Sequence, residues 1–324
     1  MKRLFKYTLL GTIWFLNMMF LSLSIVAADV GYIAFSSYRG ENRDIYMIDI
    51  NGQNLQNLTN TPDIGEFNPT FSPDGRFMAY AAYHKRNSDI YVLDLETHAR
   101  RRLTHNLSED TSPAWSPDGK WIAFISNRRT SYEIYKINAK GGNPQLLTPL
   151  RDRDSFAPAW SPDGQWIAFF SVSQQEGNPD PRIYVVAAAG RQMRQLPKAL
   201  RSGPTWSPTG DKIAFPASSG AWTSHIYVMR GDGDDIRQLT RGVNWHGDPA
   251  WSPNGRWIVY TSGAPVKGAA KRDIYLIDAT GGEPRQLTTH PSGGRNPTWV
   301  PELFFAVSPS AEKMTTLWGK IKQE

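Results

Sequence analysis

Short, largely apolar runs, each closed off by turn residues, recur along almost the whole chain. Residues 77–80, 121–124, 166–169, 212–215 and 257–260 (FMAY, WIAF, WIAF, KIAF, WIVY) are five such runs, and residues 32–35 (YIAF) are a sixth. Runs this short, rich in aromatic and β-branched residues and bounded by Pro, Asp and Gly, predict strands. A second type of run, Ile-Tyr followed by alternating apolar residues, begins at Ile45, Ile90, Ile134, Ile183, Ile226 and Ile274. A third ends in Leu-Thr at 58–59, 103–104, 147–148, 239–240 and 287–288, with Leu196-Pro197 as the departing copy.

The strongest repeat precedes the WIAF-type run. PTFSPDGRFMAY from Pro69, PAWSPDGKWIAF from Pro113, PAWSPDGQWIAF from Pro158, PTWSPTGDKIAF from Pro204 and PAWSPNGRWIVY from Pro249 are variations on one string. Each holds a short strand, then a tight turn in which proline presets φ, aspartate accepts local amide bonds and glycine tolerates φ > 0. Counted from these prolines and from Pro297, the period is 44–48 residues, the length of a four-stranded propeller blade. The chain enters the pattern on a WIAF-type strand at residue 32 and leaves it on the strand type that precedes that run, Pro-Thr-Trp-Val at 297–300. The pattern therefore predicts an all-β chain: a six-bladed β-propeller of four-stranded blades, its ring closed by the C-terminal strand joining the N-terminal blade. Closure of this kind removes exposed sheet edges.

Residues 1–28 break the pattern. Lys2, Arg3 and Lys6 precede an apolar run that ends in Ala27-Ala28, the layout of a secretory signal peptide with cleavage after Ala28. The expected division is a signal at 1–28, a propeller over 29–307 and a C-terminal tail at 308–324. In that tail Met314, Leu317, Trp318 and Ile321 have the spacing of a short amphipathic helix. The expected location is periplasmic or secreted, with no stable membrane insertion after cleavage. There is no cysteine, so no disulfide or lipidated cysteine is available. The 36 basic and 30 acidic residues give +6, but three of the basic ones lie in the leader, so 33 against 30 leaves +3. That balance gives no basis for nucleic-acid binding.

The pattern P-x-W-S-P-D-G-x-x-I-A-F…D-I-Y…Q-L-T resembles the WD-like repeat of the TolB propeller. It is also similar to repeats in propellers attached to prolyl-oligopeptidase-type enzymes and in oligogalacturonate lyases. The resemblance covers residues 31 to about 301 and implies a TolB-like six-bladed propeller, here without the TolB N-terminal domain. No G-x-S-x-G elbow occurs, so the peptidase chemistry of the second group is not expected.

Residues common to every copy read as scaffold. Trp115, Trp160, Trp206, Trp251 and Trp299, with Phe71, are expected to form layers between blades. The aspartates before the Ile-Tyr runs (Asp44, Asp89, Asp273) are expected to accept hydrogen bonds between blades. Function is expected where the copies differ, just before each motif proline. Three residues ahead of it stand Glu66, Asp110, Ser155, Arg201, His246 and Gly294, with Asp154, Asp248 and Arg295 close by. These residues would line the channel mouth, and a mouth of both signs suits a polar ligand or a peptide terminus. The candidate ligand- or partner-binding set is thus Glu66, Asp110, Asp154, Arg201, His246, Asp248 and Arg295.

Basic outer loops (Arg39, Lys85, Arg86, Arg128, Arg129, Lys271, Arg272) would steer an acidic partner there. The expected partner of a monomeric, non-catalytic scaffold is an envelope or extracellular protein or an anionic glycan. The enzyme alternative is a lyase or hydrolase acting on an anionic polysaccharide through His246 with Arg201 or Arg295, metal-assisted by a divalent cation such as calcium. No local metal-ligand spacing is present, and no cofactor is expected. The run at 230–235 (RGDGDD) resembles a calcium loop in composition but falls where other copies have a hairpin turn.

Overall fold

The computed structural model describes residues 31–302, apart from 85–86, 151, 176, 178–179, 191, 197–202, 221 and 265–270. The expected signal peptide, the tail at 308–324 and Arg201 lie outside the described residues. Every regular element within them is a strand, and 24 strands follow one another with no helix between. They assemble into four-stranded antiparallel sheets, as a propeller requires. Gly65–Phe71, Phe77–His84, Asn87–Asp94 and Arg100–Arg102 form one sheet in chain order. The strands from Asp110 to Leu146 form the next, and those from Arg153 to Gln195 another. The strands from Thr205 to Gln286 form two more four-stranded groups, joined into one eight-stranded sheet by a single parallel bridge between Ser224 and Trp245. The remaining sheet takes Tyr32–Ser37, Asp44–Asp49 and Gln56–Asn57 from the start of the described chain and Arg295–Val300 from its end. Tyr32 pairs with Val300 and Ala34 with Thr298. We number these units 1 to 6 from the one holding Tyr32. The first strand of each lies against the first strand of the next, and Arg295–Val300 of unit 1 touches both Trp245–Trp251 and Gly65–Phe71.

No unit holds a core of its own. Met47 and Leu58 of unit 1 pack with Phe71, Met78 and Tyr80 of unit 2, and Ile122 and Tyr135 of unit 3 pack with Ala79 and Ile90 of unit 2. The same occurs at each following junction, and Ile33 and Phe35 of unit 1 pack with Val259 and Leu276 of unit 6. Ala79, Ala123, Ala168 and Ala214 are fully buried there, small enough for one sheet to approach the next. Phe71, Trp115, Trp160, Trp206, Trp251 and Trp299 each join one of these clusters. Trp160 Nε1 donates to Ala114 O at 3.0 Å and Trp299 Nε1 to Ala250 O at 3.0 Å, both across a junction. The tryptophans are thus layered between units, as the repeat predicts.

The turn string is self-sufficient. In unit 2, Ser72 Oγ donates to Asp74 Oδ1 (2.5 Å), Phe77 N donates back to Ser72 Oγ (2.9 Å), and Gly75 stands at φ 71°. Units 3 and 4 repeat the arrangement at Ser116/Asp118 and Ser161/Asp163. The Leu-Thr pair has a similar local task. Its threonine Oγ1 accepts from the amide of the isoleucine in the Ile-Tyr run, at 2.8–3.0 Å in five units. Unit 4 has Pro197 in its place, so that hydroxyl is missing. The run at 230–235 is a hairpin turn, with Gly233 N donating to Arg230 O at 2.9 Å.

One expectation needs correction. Asp89 and Asp273 take their threonine bonds inside their own unit, from Thr104 and Thr288, whereas Asp44 bonds both Asn57 of its own unit and Glu66 of the next. Because the apolar clusters lie between sheets, Trp299→Ala removes a large ring and a hydrogen bond from the junction of units 6 and 1. It should cost about 3–5 kcal/mol, read as a lowered urea midpoint with unchanged slope.

Candidate functional site

The first strands share an irregularity that shapes everything upstream of them. Asn68, Ser112, Ala157, Asp248 and Asn296, each directly before a motif proline, have φ of 50–53°. The ladder to the second strand slips at the same place in each of these units. A left-handed residue opens a β-bulge, and for serine and alanine it costs about 1 kcal/mol or more. Repetition in five units marks the bulge as part of the design.

Beyond the bulge the chain is pinned to the preceding unit. Glu66 N donates to Arg43 O (2.6 Å), Ser155 N to Tyr132 O (2.7 Å) and Gly294 N to Arg272 O (2.6 Å); His246 N donates to Ser224 Oγ (3.1 Å). The acceptor residue in each case lies two positions before the isoleucine of an Ile-Tyr run. Two variable positions are thereby brought face to face at each junction: the residue three before the proline, and the residue before Ile-Tyr in the preceding unit. Sequence reasoning treated these as separate sets, one functional and one scaffold. Their tendency to share a chemical type, Asp44 with Glu66, Asp89 with Asp110 and His225 with His246, is the signal that could have paired them.

The junctions differ sharply in chemistry. Between units 1 and 2, buried Glu66 accepts from Thr61 Oγ1 (2.7 Å) and pairs with Arg100 (3.3 Å). Burial first, against hydrogen bonds from Thr59 and Thr61 and the Arg100 charge, pushes its carboxyl up to about 7. Asp44 beside it is also raised, by burial. Between units 2 and 3, Arg102 holds Asp89 at 2.7 Å, and Arg128 reaches both oxygens of fully buried Asp110 at 3.1 Å while Asn106 adds a bond at 2.7 Å. Between units 3 and 4, Glu133 faces Ser155 and takes the Tyr135 hydroxyl at 3.2 Å. Between units 5 and 6, His225 and His246 stand ring to ring at 5.6 Å, with Tyr260 edge-on to His246 at 5.4 Å. Burial first, then neighbouring His225, holds the His246 imidazole down to about 4, so it is neutral at pH 7. The backbone of Arg241 lies within reach of the ring as a hydrogen-bond partner.

The expected mouth-lining set therefore divides. Glu66, Asp110 and His246 are buried at 1, 0 and 5 % exposure, each inside its own junction. Asp154 is half-buried and accepts from Tyr132 N and Gln174 Nε2, both at 2.9 Å. Asp248 and Arg295 come together, near Arg272 and Arg43. His246 faces His225 and Tyr260. No three His, Asp or Glu side chains among the described residues cluster so as to hold a metal. On the opposite rim, a cleft of about 460 Å³ lies between the turns of units 4 and 5, lined by Trp166, Trp206, Asp163 and Asp211, all from positions of the repeat.

With this geometry in view, comparison places the fold. Residues 17–155 match the model of the TolB beta propeller domain, and residues 94–223 that of the Tricorn protease N-terminal beta propeller domain. Among solved structures, TolB from Acinetobacter baumannii superposes with a TM-score of 0.69 at 23% identity, over 84% of this chain and 67% of that one. A putative TolB from Agrobacterium tumefaciens gives 0.66 at 22%, over 82% and 91%. An oligogalacturonate lyase in complex with manganese gives 0.55 at 17%, over 81% and 73%. The chain has a TolB-like β-propeller fold. Among the described residues, no helix is long and apolar enough to cross a membrane.

Glu66 makes a pH prediction. Its folded-state value lies above 4.5, so its contribution to stability is full below pH 4.5 and is lost as pH rises through 7. His246 acts oppositely: its depressed value gives a contribution that is full above 6.5 and lost as pH falls through 4. Comparing Glu66→Gln with wild type isolates the first. The variant should gain about 3 kcal/mol relative to wild type between pH 5 and 8, measured by urea unfolding at both values.

Proposed function

We propose that this chain is an exported, non-catalytic interaction protein, a closed six-bladed ring that binds a protein partner or polar ligand at its channel mouth. In this reading the chain comprises a cleaved leader at 1–28, the ring over 29–307 and a tail at 308–324. The ring rests on the pairing of Arg295–Val300 with Tyr32–Ser37 and on the succession of first strands that returns to its start. The observation that carries the binding reading is the contrast between the two rims. On one, Ser-Pro-Asp-Gly turns repeat nearly unchanged; on the other, four junctions among the described residues carry different pairs of polar groups, several of them buried. Buried charge and imidazole do not improve a scaffold over apolar packing, so their variety at one rim supports a recognition role for that rim. The partner class is an envelope or extracellular protein or an anionic glycan, and the protein acts as a monomer without a required cofactor.

A second reading has its own support. His246 is neutral at pH 7, the state a general base needs, and one structural neighbour is an oligogalacturonate lyase. There His246, with Arg201 or Arg295, would act on an anionic polysaccharide, assisted by a divalent cation such as calcium.

Immobilised protein exposed to envelope extract separates the two. Specific retention of a protein by wild type should be lost with Asp154→Asn combined with Arg128→Gln and kept with the opposite-rim change Asp163→Asn. Turnover of oligogalacturonate with calcium or manganese, abolished by His246→Gln, would instead establish the enzyme. Retention equally sensitive to the Asp163 change would remove the mouth from the proposal.

A further inference from the structure

Units 1 and 6 alone share the tetrapeptide Arg-Asp-Ile-Tyr, at 43–46 and 272–275. In both, the arginine directly precedes the junction aspartate, and its carbonyl accepts the amide that pins the next first strand, Glu66 N on Arg43 and Gly294 N on Arg272. The first strand of unit 1 lies between those of units 6 and 2, so these two junctions are neighbours. Arg295 opens that middle strand. Asp248, at the bulge of unit 6, stands beside it, accepting from Thr261 Oγ1 at 3.1 Å and from the backbone of Asn296. Arg43 was absent from the sequence-based candidates, and Arg272 was counted among the basic outer loops expected to steer an acidic partner.

Three cationic groups and one carboxylate act on one another here. The groups that act electrostatically on Arg272 are Arg295 and Asp248. Those that act on Arg43 are the Tyr38 phenol, Arg295 and Asp248. Asp248 in turn feels Arg272 and Arg295. Arg43 and Arg272 thus have one carboxylate between them, and Arg295 repels both. Burial is the largest influence on all three of Arg43, Arg272 and Asp248, so solvent screening is weak. Two of the guanidiniums are also held by rings. Arg272 Cζ lies 3.5 Å from the Trp245 centroid, and Arg43 Cζ lies 4.9 Å from that of Phe67 and 5.5 Å from that of Tyr38. Stacking fixes the guanidinium plane and leaves its edge donors for a planar, two-oxygen acceptor.

We propose that Arg43, Arg272 and Arg295 form a binding site for a carboxylate on an acidic peptide segment, with Asp248 accepting the segment's N–H groups. The proposal rests on the channel-mouth reading above and names its ligand chemistry. Asp248 lowers the net positive charge of the site and so lessens its preference for a dianion such as phosphate over a monoanion. A peptide is favoured over an acidic sugar because the large ring at the site is already occupied. Trp245 is stacked by Arg272 and packed on Gly247, where an added Cβ would fall 2.1 Å from it, leaving no broad face for a sugar ring.

Calorimetry on the full chain tests this with four probes: a short acetylated alanine–glutamate peptide, its amidated alanine–glutamine counterpart, inorganic phosphate and trigalacturonate. The acidic peptide should bind and its neutral counterpart should not, and raising salt from about 50 to about 300 mM should weaken binding several-fold. Arg272→Gln and Arg295→Gln should each weaken it on the order of tenfold, and Asp248→Asn should weaken it while leaving phosphate binding no weaker. Arg272→Lys, which keeps the charge and the fold, should recover part of the loss. Equal binding of the acidic and neutral peptides, or indifference to the arginine changes, overturns the site. Tighter binding of trigalacturonate or phosphate than of the acidic peptide overturns the peptide assignment. If the acidic peptide fails while the Asp154/Arg128 variant still loses its envelope partner, this proposal falls and the mouth reading stands; if both fail, the mouth reading falls with it.

Discussion

Everything in this molecule depends on apolar contact between sheets. Each unit is four short strands whose two faces are both apolar, so a unit alone would expose as much as it buries. Stability arrives only when Phe71, Trp115 or their counterparts settle against the alanines and isoleucines of the neighbouring sheet. Each large side chain so buried contributes about 1.5–3 kcal/mol, repeated at six junctions. This explains why the sequence can be monotonous in its turns and strands. The same side chains meet the same neighbours every time, and a single solution serves throughout.

The uniform packing frees one rim to vary. Once the apolar stripe fixes the distance between sheets, the bulge before the proline, present in five units, turns the variable residues ahead of it toward the junction. The backbone bonds there, such as Glu66 N to Arg43 O, do not depend on side-chain identity. An acid pair, an acid held bidentately by arginine and two neutral imidazoles therefore occupy equivalent places on one scaffold. The burial that perturbs Glu66 and His246 in opposite directions is a property of the place, and the direction follows from the residue put there.

The fold was readable because its determinants are local and repeated. The period, the Pro-Asp-Gly turn and the Ile-Tyr and Leu-Thr runs each mark one strand boundary, and the offset between the chain's two ends foretold the pairing of Arg295–Val300 with Tyr32–Ser37. The candidate site was half readable. Variation ahead of the motif proline pointed to the right stretch of chain, including Asp248 and Arg295. It could not tell an inward Glu66 from a half-exposed Asp154, since one bulge decides which way each residue turns. Nor could it show that Arg43 and Arg272, 229 positions apart by their numbering, meet near Asp248. That meeting follows from which units become neighbours, a long-range fact that no window of sequence contains.

The sheet shared by the chain's two ends has a consequence in time. Tyr32–Ser37 is made before every other described strand, yet its sheet neighbour Arg295–Val300 is the last described. During synthesis unit 1 stands as three strands with an open edge, and unit 6 lacks one of its packing partners. Such an edge can recruit foreign strands, and pairings this distant in sequence form slowly. Units 2 to 5 can pack progressively as they emerge, but the two outermost must wait for the end of the chain. The interval before that strand arrives is when the molecule is most exposed to misassembly, and its length is set by translation rather than by the stability of the finished protein.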